Sequence, residues 1–245
     1  MPMRDAKELR SRLREAGADL PDLRVVLPRE SDPIFGFDVK AKEAIPTRQR
    51  LRALTDKTGL YPMAIAEEDL LLEMVEEWPA PRKLIKKAGE IDAVRWLKKA
   101  AAESGGLEAA EWPDDTEPND SFGVPFDVVS GKPLKDVKVV LLPTKNPWEA
   151  AAYLGFAAVN YDIEPQHHVA VHRRWFDAYG AEPAAATGDV LEFSVARPPK
   201  NRKDAMTLAG EQYAYCPDIV EQGVETLEAL GATVLKAPVW FFWWD

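Results

Sequence analysis

The sequence predicts an α/β (α+β) protein with mixed sheets flanked by helices, arranged as two α/β halves joined by an acidic linker. Short apolar runs rich in β-branched residues have the length of strands. Longer stretches between them place apolar side chains at helical spacing and end at glycine. An acidic segment with prolines at 107–136 separates the two sets of elements, which predicts an N-terminal domain at 1–106 and a C-terminal domain at 137–245.

The N-terminal half begins with an amphipathic stretch in which Leu9 and Leu13 share one face of a helix that ends at Gly17. Its last helical stretch is locally basic, with seven Lys or Arg residues between 82 and 99. The predicted helices are 3–16, 48–59, 67–77 and 81–103, and the predicted strands are 23–27, 34–39 and 60–66.

The linker carries six acidic residues and no basic residue between 107 and 120, together with Pro113 and Pro118. This composition favours a solvated connection between two folded units. The alternative is that the segment folds back on the basic stretch at 82–99, since opposite charges lie close together in sequence. The first interpretation is preferred, because exposed ion pairs add little stability.

The C-terminal half closes with an aromatic run at 239–245. Burying a large apolar side chain contributes about 1.5–3 kcal/mol, so we expect this run to be an interior strand with Trp243 buried. Asn146 and Pro147 form an N-cap followed by a proline at the first helical position. The predicted strands are 137–142, 189–196 and 239–245, and the predicted helices are 147–155, 165–179, 202–215 and 217–230.

Composition excludes several classes of function. The 41 acidic and 31 basic residues give a formal net charge of −10, whereas nucleic-acid binding requires an excess of Lys and Arg. Cys216 is the only cysteine, so no intramolecular disulfide forms. The N-terminus lacks the apolar stretch of a signal peptide, and no apolar run approaches the roughly 20 residues of a membrane span. We expect a cytoplasmic protein with no nucleic-acid partner and no membrane association.

Two segments near the C-terminus are specific enough to indicate a family. One reads Tyr213-Ala-Tyr-Cys216-Pro-Asp-Ile-Val220, and the other closes the chain as Phe242-Trp-Trp-Asp245. Together with His168-Val-Ala-Val171, Trp175 and Arg197-Pro-Pro199, they resemble the domain of unknown function family 4253 over about 137–245. The resemblance implies no activity. It does imply a bacterial accessory protein, since members resemble accessory proteins and some lie beside toxin genes.

The leading functional hypothesis is a non-catalytic protein-binding module, an immunity or accessory protein that binds a bacterial partner such as a toxin. Negative charge and the absence of phosphate-binding and nucleophile-elbow motifs favour this hypothesis. Trp and Tyr dominate interface hot spots where they are accessible, although most aromatic residues belong to a core. The predicted partner-binding residues are Trp148, Trp175, Tyr213, Tyr215, Asp218, Trp244 and Asp245, and Trp240 is a further aromatic candidate.

The alternative hypothesis is a Cys-dependent hydrolase or transferase that uses Cys216 with His168. Pro217 is suited to the first position of a helix, which would place the thiol near a helix N-terminus and lower its pKa. A nearby histidine would then serve as the base. The opposing interpretation is a buried structural cysteine, the commoner case, and Asp218 adds unfavourable negative charge.

His168 and His172 are four residues apart, a spacing at which two histidines on one helix face can bind Zn²⁺. No glutamate lies between them at the position that a metalloprotease motif requires. Two histidines on a helix surface are the simpler interpretation. The sequence therefore predicts neither a metal nor another cofactor.

Overall fold

Seven strands form a single sheet in the computed structural model, which describes residues 5–29, 33–105, 107–127 and 130–245. The strands are β1 (Arg24–Leu27), β2 (Ile34–Val39), β3 (Tyr61–Ala66), β4 (Val137–Leu142), β5 (Ala181–Ala186), β6 (Val190–Val195) and β7 (Val239–Trp243). Their order is β1-β2-β4-β3-β5-β6-β7. Only the β3–β5 pair is parallel among these neighbours, so the sheet is mixed and the predicted α/β class is confirmed.

Helices cover both faces of the sheet. On one face Leu9 and Leu13 pack against strand residues such as Val139, while the opposite face carries the largest core cluster around Trp175. The α-helices are α1 (Ala6–Glu15), α2 (Ala41–Arg52), α3 (Thr55–Thr58), α4 (Glu68–Glu77), α5 (Pro81–Ala88), α6 (Ala93–Glu103), α7 (Ala150–Leu154), α8 (Pro165–Tyr179), α9 (Arg202–Tyr215) and α10 (Leu227–Val234). Within the described ranges, no helix is both long and apolar enough to cross a bilayer.

The two predicted halves share the sheet. β4 is the first strand of the predicted C-terminal half, yet it lies between β2 and β3 of the N-terminal half. Val139 pairs with Phe37 on one side and with Ala64 on the other. The segment 107–136 therefore divides the chain but does not divide the sheet.

The acidic segment packs against the C-terminal half, whereas the sequence predicts a solvated linker. The Trp112 ring lies under the Arg202 guanidinium at 4.8 Å and occupies the space beside Gly231 into which a Cβ would project. Asn119 donates its N–H to Thr233 and accepts from the N–H of Val239. The acidic side chains point to solvent while these apolar and backbone contacts attach the segment.

β5 is a strand that the sequence does not predict. The Ala-rich run Ala181–Ala186 lacks the β-branched residues typical of strands and contains Pro183. Its small side chains suit a central strand whose two faces are both covered, and the register shifts between Pro183 and Ala185, where a proline is tolerated.

The helix predicted at 217–230 is also corrected. A π-helix spans Ile219–Val224, and α10 begins only at Leu227. Glu225 separates them with a φ of 69°, in the left-handed region, and Thr226 then caps α10 by accepting from the N–H of Ala229. Single π-helical turns often lie at functional sites, and this one borders the cavity described below.

Candidate functional site

The end of the chain is fastened by the segment that precedes the π-helix. Cys216 donates its thiol proton to the carbonyl of Trp243 at 2.9 Å, and Asp218 Oδ2 accepts the N–H of Asp245 at 2.9 Å. The two segments that the sequence singled out are thus bonded directly to each other. They hold β7 at the edge of the sheet.

Asp218 anchors this junction. Its Oδ1 accepts from the Tyr161 hydroxyl at 2.5 Å and from Gln222 Nε2 at 3.0 Å, in addition to the Asp245 N–H on Oδ2. The side chain is buried, so three donors stabilise a carboxylate that is removed from water. Burial and the bonded carboxylate raise the pKa of Tyr161, which keeps that phenol a donor.

A partly open cavity of about 430 Å³ lies along the outer edge of β7. Ile219 and Val224 from the π-helix and Leu230 from α10 form its apolar wall, and the segment around Asn119 closes one end. Ligand-binding cavities are typically about 300–1,000 Å³ and mostly apolar, with a few polar groups. This cavity has that size and composition.

The backbone of β7 is open where it borders the cavity. Val239 donates to Asn119 at one end of the strand, and Trp243 accepts from Cys216 at the other end. Phe241 lies between them and, by the alternation of an antiparallel ladder, directs its N–H and C=O away from β6. Among the described residues nothing bonds to these groups, and the Phe241 side chain is 40% exposed.

Glu192 lines the cavity as a buried carboxyl group on β6, only 1% exposed. Its oxygens accept from the N–H groups of Gly123 at 2.6 Å and Val124 at 3.0 Å. Burial raises its pKa to about 6, and the two hydrogen bonds only partly oppose the shift. Glu192 is not among the site residues predicted from the sequence, because a single acidic residue within a predicted strand carries no local signal of burial.

Two donors at the cavity have no hydrogen-bond partner in the part of the chain that the structure describes. Gln212 Nε2 and Trp240 Nε1 are both buried without a hydrogen bond, and both residues line the cavity. A buried unpaired donor costs about 1–3 kcal/mol of stability, and an acceptor that bonds to these two nitrogens would remove that cost. Gln212 carries no sequence signal that distinguishes it from other polar residues of a helix.

His168, His172 and Tyr215 form a polar cluster inside the core, behind β7. The Tyr215 hydroxyl lies 2.5 Å from His168 Nδ1 and 2.8 Å from His172 Nε2. All three side chains are fully buried, which corrects the expectation that the histidines lie on a helix surface. Burial lowers the pKa of His172 to about 3 and that of His168 well below its usual value, and it raises the pKa of Tyr215.

The same cluster bears on the metal hypothesis. Each histidine directs one ring nitrogen at the Tyr215 hydroxyl, which therefore occupies the point on which the two nitrogens converge. In the part of the chain that the structure describes, no group of three or more His, Cys, Asp or Glu residues could hold a metal ion.

Removing the central hydroxyl is expected to be costly. Tyr215→Phe leaves two buried ring nitrogens without their partner, so we expect the free energy of unfolding to fall by about 2–4 kcal/mol. Tyr213→Phe is a matched control, because its partly buried hydroxyl bonds to Ser104 and Glu221; we expect about 1 kcal/mol there. Urea unfolding of both variants measures the two losses in free energy of unfolding. Equal losses would show that the cluster contributes no more than an ordinary partly buried hydrogen bond.

Cys216 and His168 do not form a nucleophile–base pair. Burial raises the pKa of the Cys216 thiol, with Asp218 adding to the rise, and the thiol proton is donated to Trp243. The expectation of a lowered pKa rested on a regular helix that begins at Pro217, whereas Cys216 is the C-cap of α9 and a π-helix follows. His168 bonds to Tyr215 instead of the thiol.

Most predicted partner-binding residues are inside the core and are inaccessible to a partner in this fold. The buried ones are Trp175, Tyr213, Tyr215, Asp218, Trp240 and Trp244. Asp218 and Trp240 still line the cavity, while Trp148 packs on Phe176 elsewhere and Asp245 is exposed. The structure therefore replaces the predicted aromatic surface with a cavity, and Phe241 is the exposed aromatic beside it.

The cavity is built chiefly by the part of the chain that begins at β4. Residues 138–245 match the family model described as Domain of unknown function (DUF4253). The resemblance found in the sequence is confirmed over this range. The DUF4253 region contains the junction of Cys216 and Asp218 with β7, whereas Asn119 and Gly123 at the cavity lie before it. No curated protein and no solved structure matches the chain.

Proposed function

We propose that this protein is a non-catalytic binding protein that takes up an extended segment of a partner protein at the cavity beside β7. The observation that carries the proposal is the open backbone of Phe241 directly beside that cavity. An extended segment added to a sheet edge gains main-chain hydrogen bonds, and pockets next to the edge accept its side chains. One side chain of the segment would enter the cavity.

Natural proteins usually cover the edges of their sheets, so the open backbone at Phe241 supports a binding role for this edge. Asn119 and Cys216 already cover β7 on both sides of Phe241, so the open stretch is short and does not favour uncontrolled pairing. The buried, high-pKa state of Cys216 supports a binding role over thiol catalysis. A bacterial accessory role, with a toxin as the partner, is the more specific form of the same proposal.

Site-specific photo-crosslinking tests the proposal. p-Benzoyl-phenylalanine placed at Phe241 is expected to form an adduct with one protein in the native host, with the crosslink inside a single segment of that protein. Val25 is the matched control, since it is an exposed apolar residue on β1 at the opposite edge of the sheet. A synthetic peptide of the crosslinked segment should then bind the purified protein.

A variant that fills the cavity tells whether the crosslinked segment binds in the cavity or only passes near Phe241. Val224→Trp puts a large side chain on the half-buried cavity wall, so we expect the peptide to lose at least tenfold in affinity; Val25→Trp should leave binding unchanged. Thermal unfolding of each variant confirms that it folds. Equal crosslinking from both edges, or peptide binding that survives Val224→Trp, would overturn the proposal.

A further inference from the structure

We infer that the cavity recognises an uncharged, apolar residue of the bound segment through a carbonyl oxygen, and that it rejects an anionic one. The inference rests on the proposed function and concerns the chemistry of the occupant. Three features of the cavity wall carry it: the apolar side, the pair of unpartnered donors and the two carboxyl groups.

The apolar side sets the type of side chain. Ile219, Val224, Leu230 and Val234 face the cavity from the π-helix and α10. A polar side chain placed against them would lose its hydration without gaining a partner, whereas an aliphatic or aromatic one gains from burial. The occupant's side chain is therefore apolar.

The unpartnered donors determine which hydrogen-bonding group the occupant must carry. Gln212 Nε2 and Trp240 Nε1 are donors without a partner among the described residues, and the open Phe241 N–H is a third donor of a residue that lines the cavity. Gln212 and Trp240 are each only 1% exposed, so neither side chain reaches bulk solvent. An occupant with a carbonyl oxygen supplies the acceptor that these donors lack, while an ammonium group, which only donates, does not.

The carboxyl groups set the charge. Glu192 and Asp218 both line the cavity, and none of the described residues on its wall is Lys, Arg or His. Their oxygens already accept from Gly123, Val124, Tyr161, Gln222 and Asp245, so they are held in place as acceptors. An anionic occupant would meet this negative field without a compensating cation, and the repulsion is strong at a site removed from water.

Three small probes that share one side chain test the inference on the full chain. N-Acetyl-L-leucinamide is neutral, N-acetyl-L-leucine is anionic and L-leucinamide is cationic. In NMR titrations of the ¹⁵N-labelled protein, we expect the neutral probe to shift the amides of residues around the cavity and to bind at least tenfold more tightly than N-acetyl-L-leucine, while L-leucinamide, which keeps one carbonyl and meets no opposing cation, should bind more tightly than the anionic probe. Equal or tighter binding of N-acetyl-L-leucine would overturn the inference.

Substitution of the donor provides the second arm. Gln212→Leu removes an unpaired buried donor without adding charge, so the protein should unfold at the same temperature or higher while the neutral probe loses at least tenfold in affinity. Gln212→Glu should lose binding as well, and Gln49→Glu on the exposed face of α2 is its matched control for the change in charge. Unchanged binding in Gln212→Leu would contradict recognition through this donor.

The outcomes separate the inference from the proposed function. If none of the probes shifts the cavity amides, the inference fails, while crosslinking at Phe241 still decides whether a partner segment binds. If crosslinking succeeds but the segment carries an acidic residue in the cavity, the inference fails and the proposed function stands.

Discussion

Phe242→Ala is expected to lower the free energy of unfolding by about 3–5 kcal/mol, as is typical when a buried phenylalanine is truncated. The Phe242 ring is fully buried and stacks on Trp175 with centroids 5.3 Å apart. It also meets Phe193 and Tyr215 edge to face. Removal of the ring leaves a cavity that these large, interlocked rings cannot readily close, so the loss should lie well above the average for a point mutation.

The neighbouring residue is the matched control. Phe241→Ala removes the same atoms one position earlier in the same strand, but this ring is 40% exposed. We expect a cost below about 1 kcal/mol, since little apolar surface returns to water. Chemical denaturation with urea measures both variants. A cost for Phe241→Ala equal to that for Phe242→Ala would show that β7 does not present alternate faces as described.

The contrast between these two residues shows how far the sequence predicts the terminal strand. Seven residues that include five aromatic rings, at 239–245, must find a core, so the strand itself was predictable. The choice of interior residues was not. Trp243 was expected inside but is only half-buried, with its indole N–H donated to Asp189, while Phe242 and Trp244 are interior. Strand alternation separates these residues, but only the position of the covering helices decides which face is inside.

The candidate site was less predictable for a related reason. Glu192 and its two backbone donors, Gly123 and Val124, are 69 and 68 residues apart in sequence. No local pattern reveals that a segment of the acidic linker will cover that face of β6. The Cys-Pro-Asp segment and the final residues were recognisable as a pair of motifs, but their direct bonding emerges only from the fold.

Acidification is expected to destabilise the protein because of its core histidines. Burial holds the pKa of His172 at about 3 and that of His168 well below 6.5, so the unfolded chain binds these protons more readily than the folded chain. The stability that depends on neutral histidines is complete above about pH 6.5 and is lost as the pH falls. Each histidine contributes a slope of about 1.4 kcal/mol per pH unit while it titrates only in the unfolded state.

Glu192 acts in the opposite direction. Its folded-state pKa of about 6 lies above the unfolded value of 4.5, so its contribution is complete below pH 4.5 and is lost as the pH rises through 6. Between pH 6 and 5 one such group opposes two histidines, which leaves a net loss of roughly 1.4 kcal/mol for each unit of acidification. Glu192→Gln should remove the opposing component and steepen the loss to about twice that value.

Urea unfolding between pH 7.5 and 5 measures these slopes, and NMR titration of the three histidine rings identifies the groups responsible. We expect two of the three rings to stay neutral down to pH 5 in the folded protein. A histidine cluster that is merely solvated would instead titrate near 6.5 and leave stability flat over this range. The polar cluster behind β7 would then be open to water, and the strand that borders the cavity would lack the dry, rigid support on which a pre-formed binding edge depends.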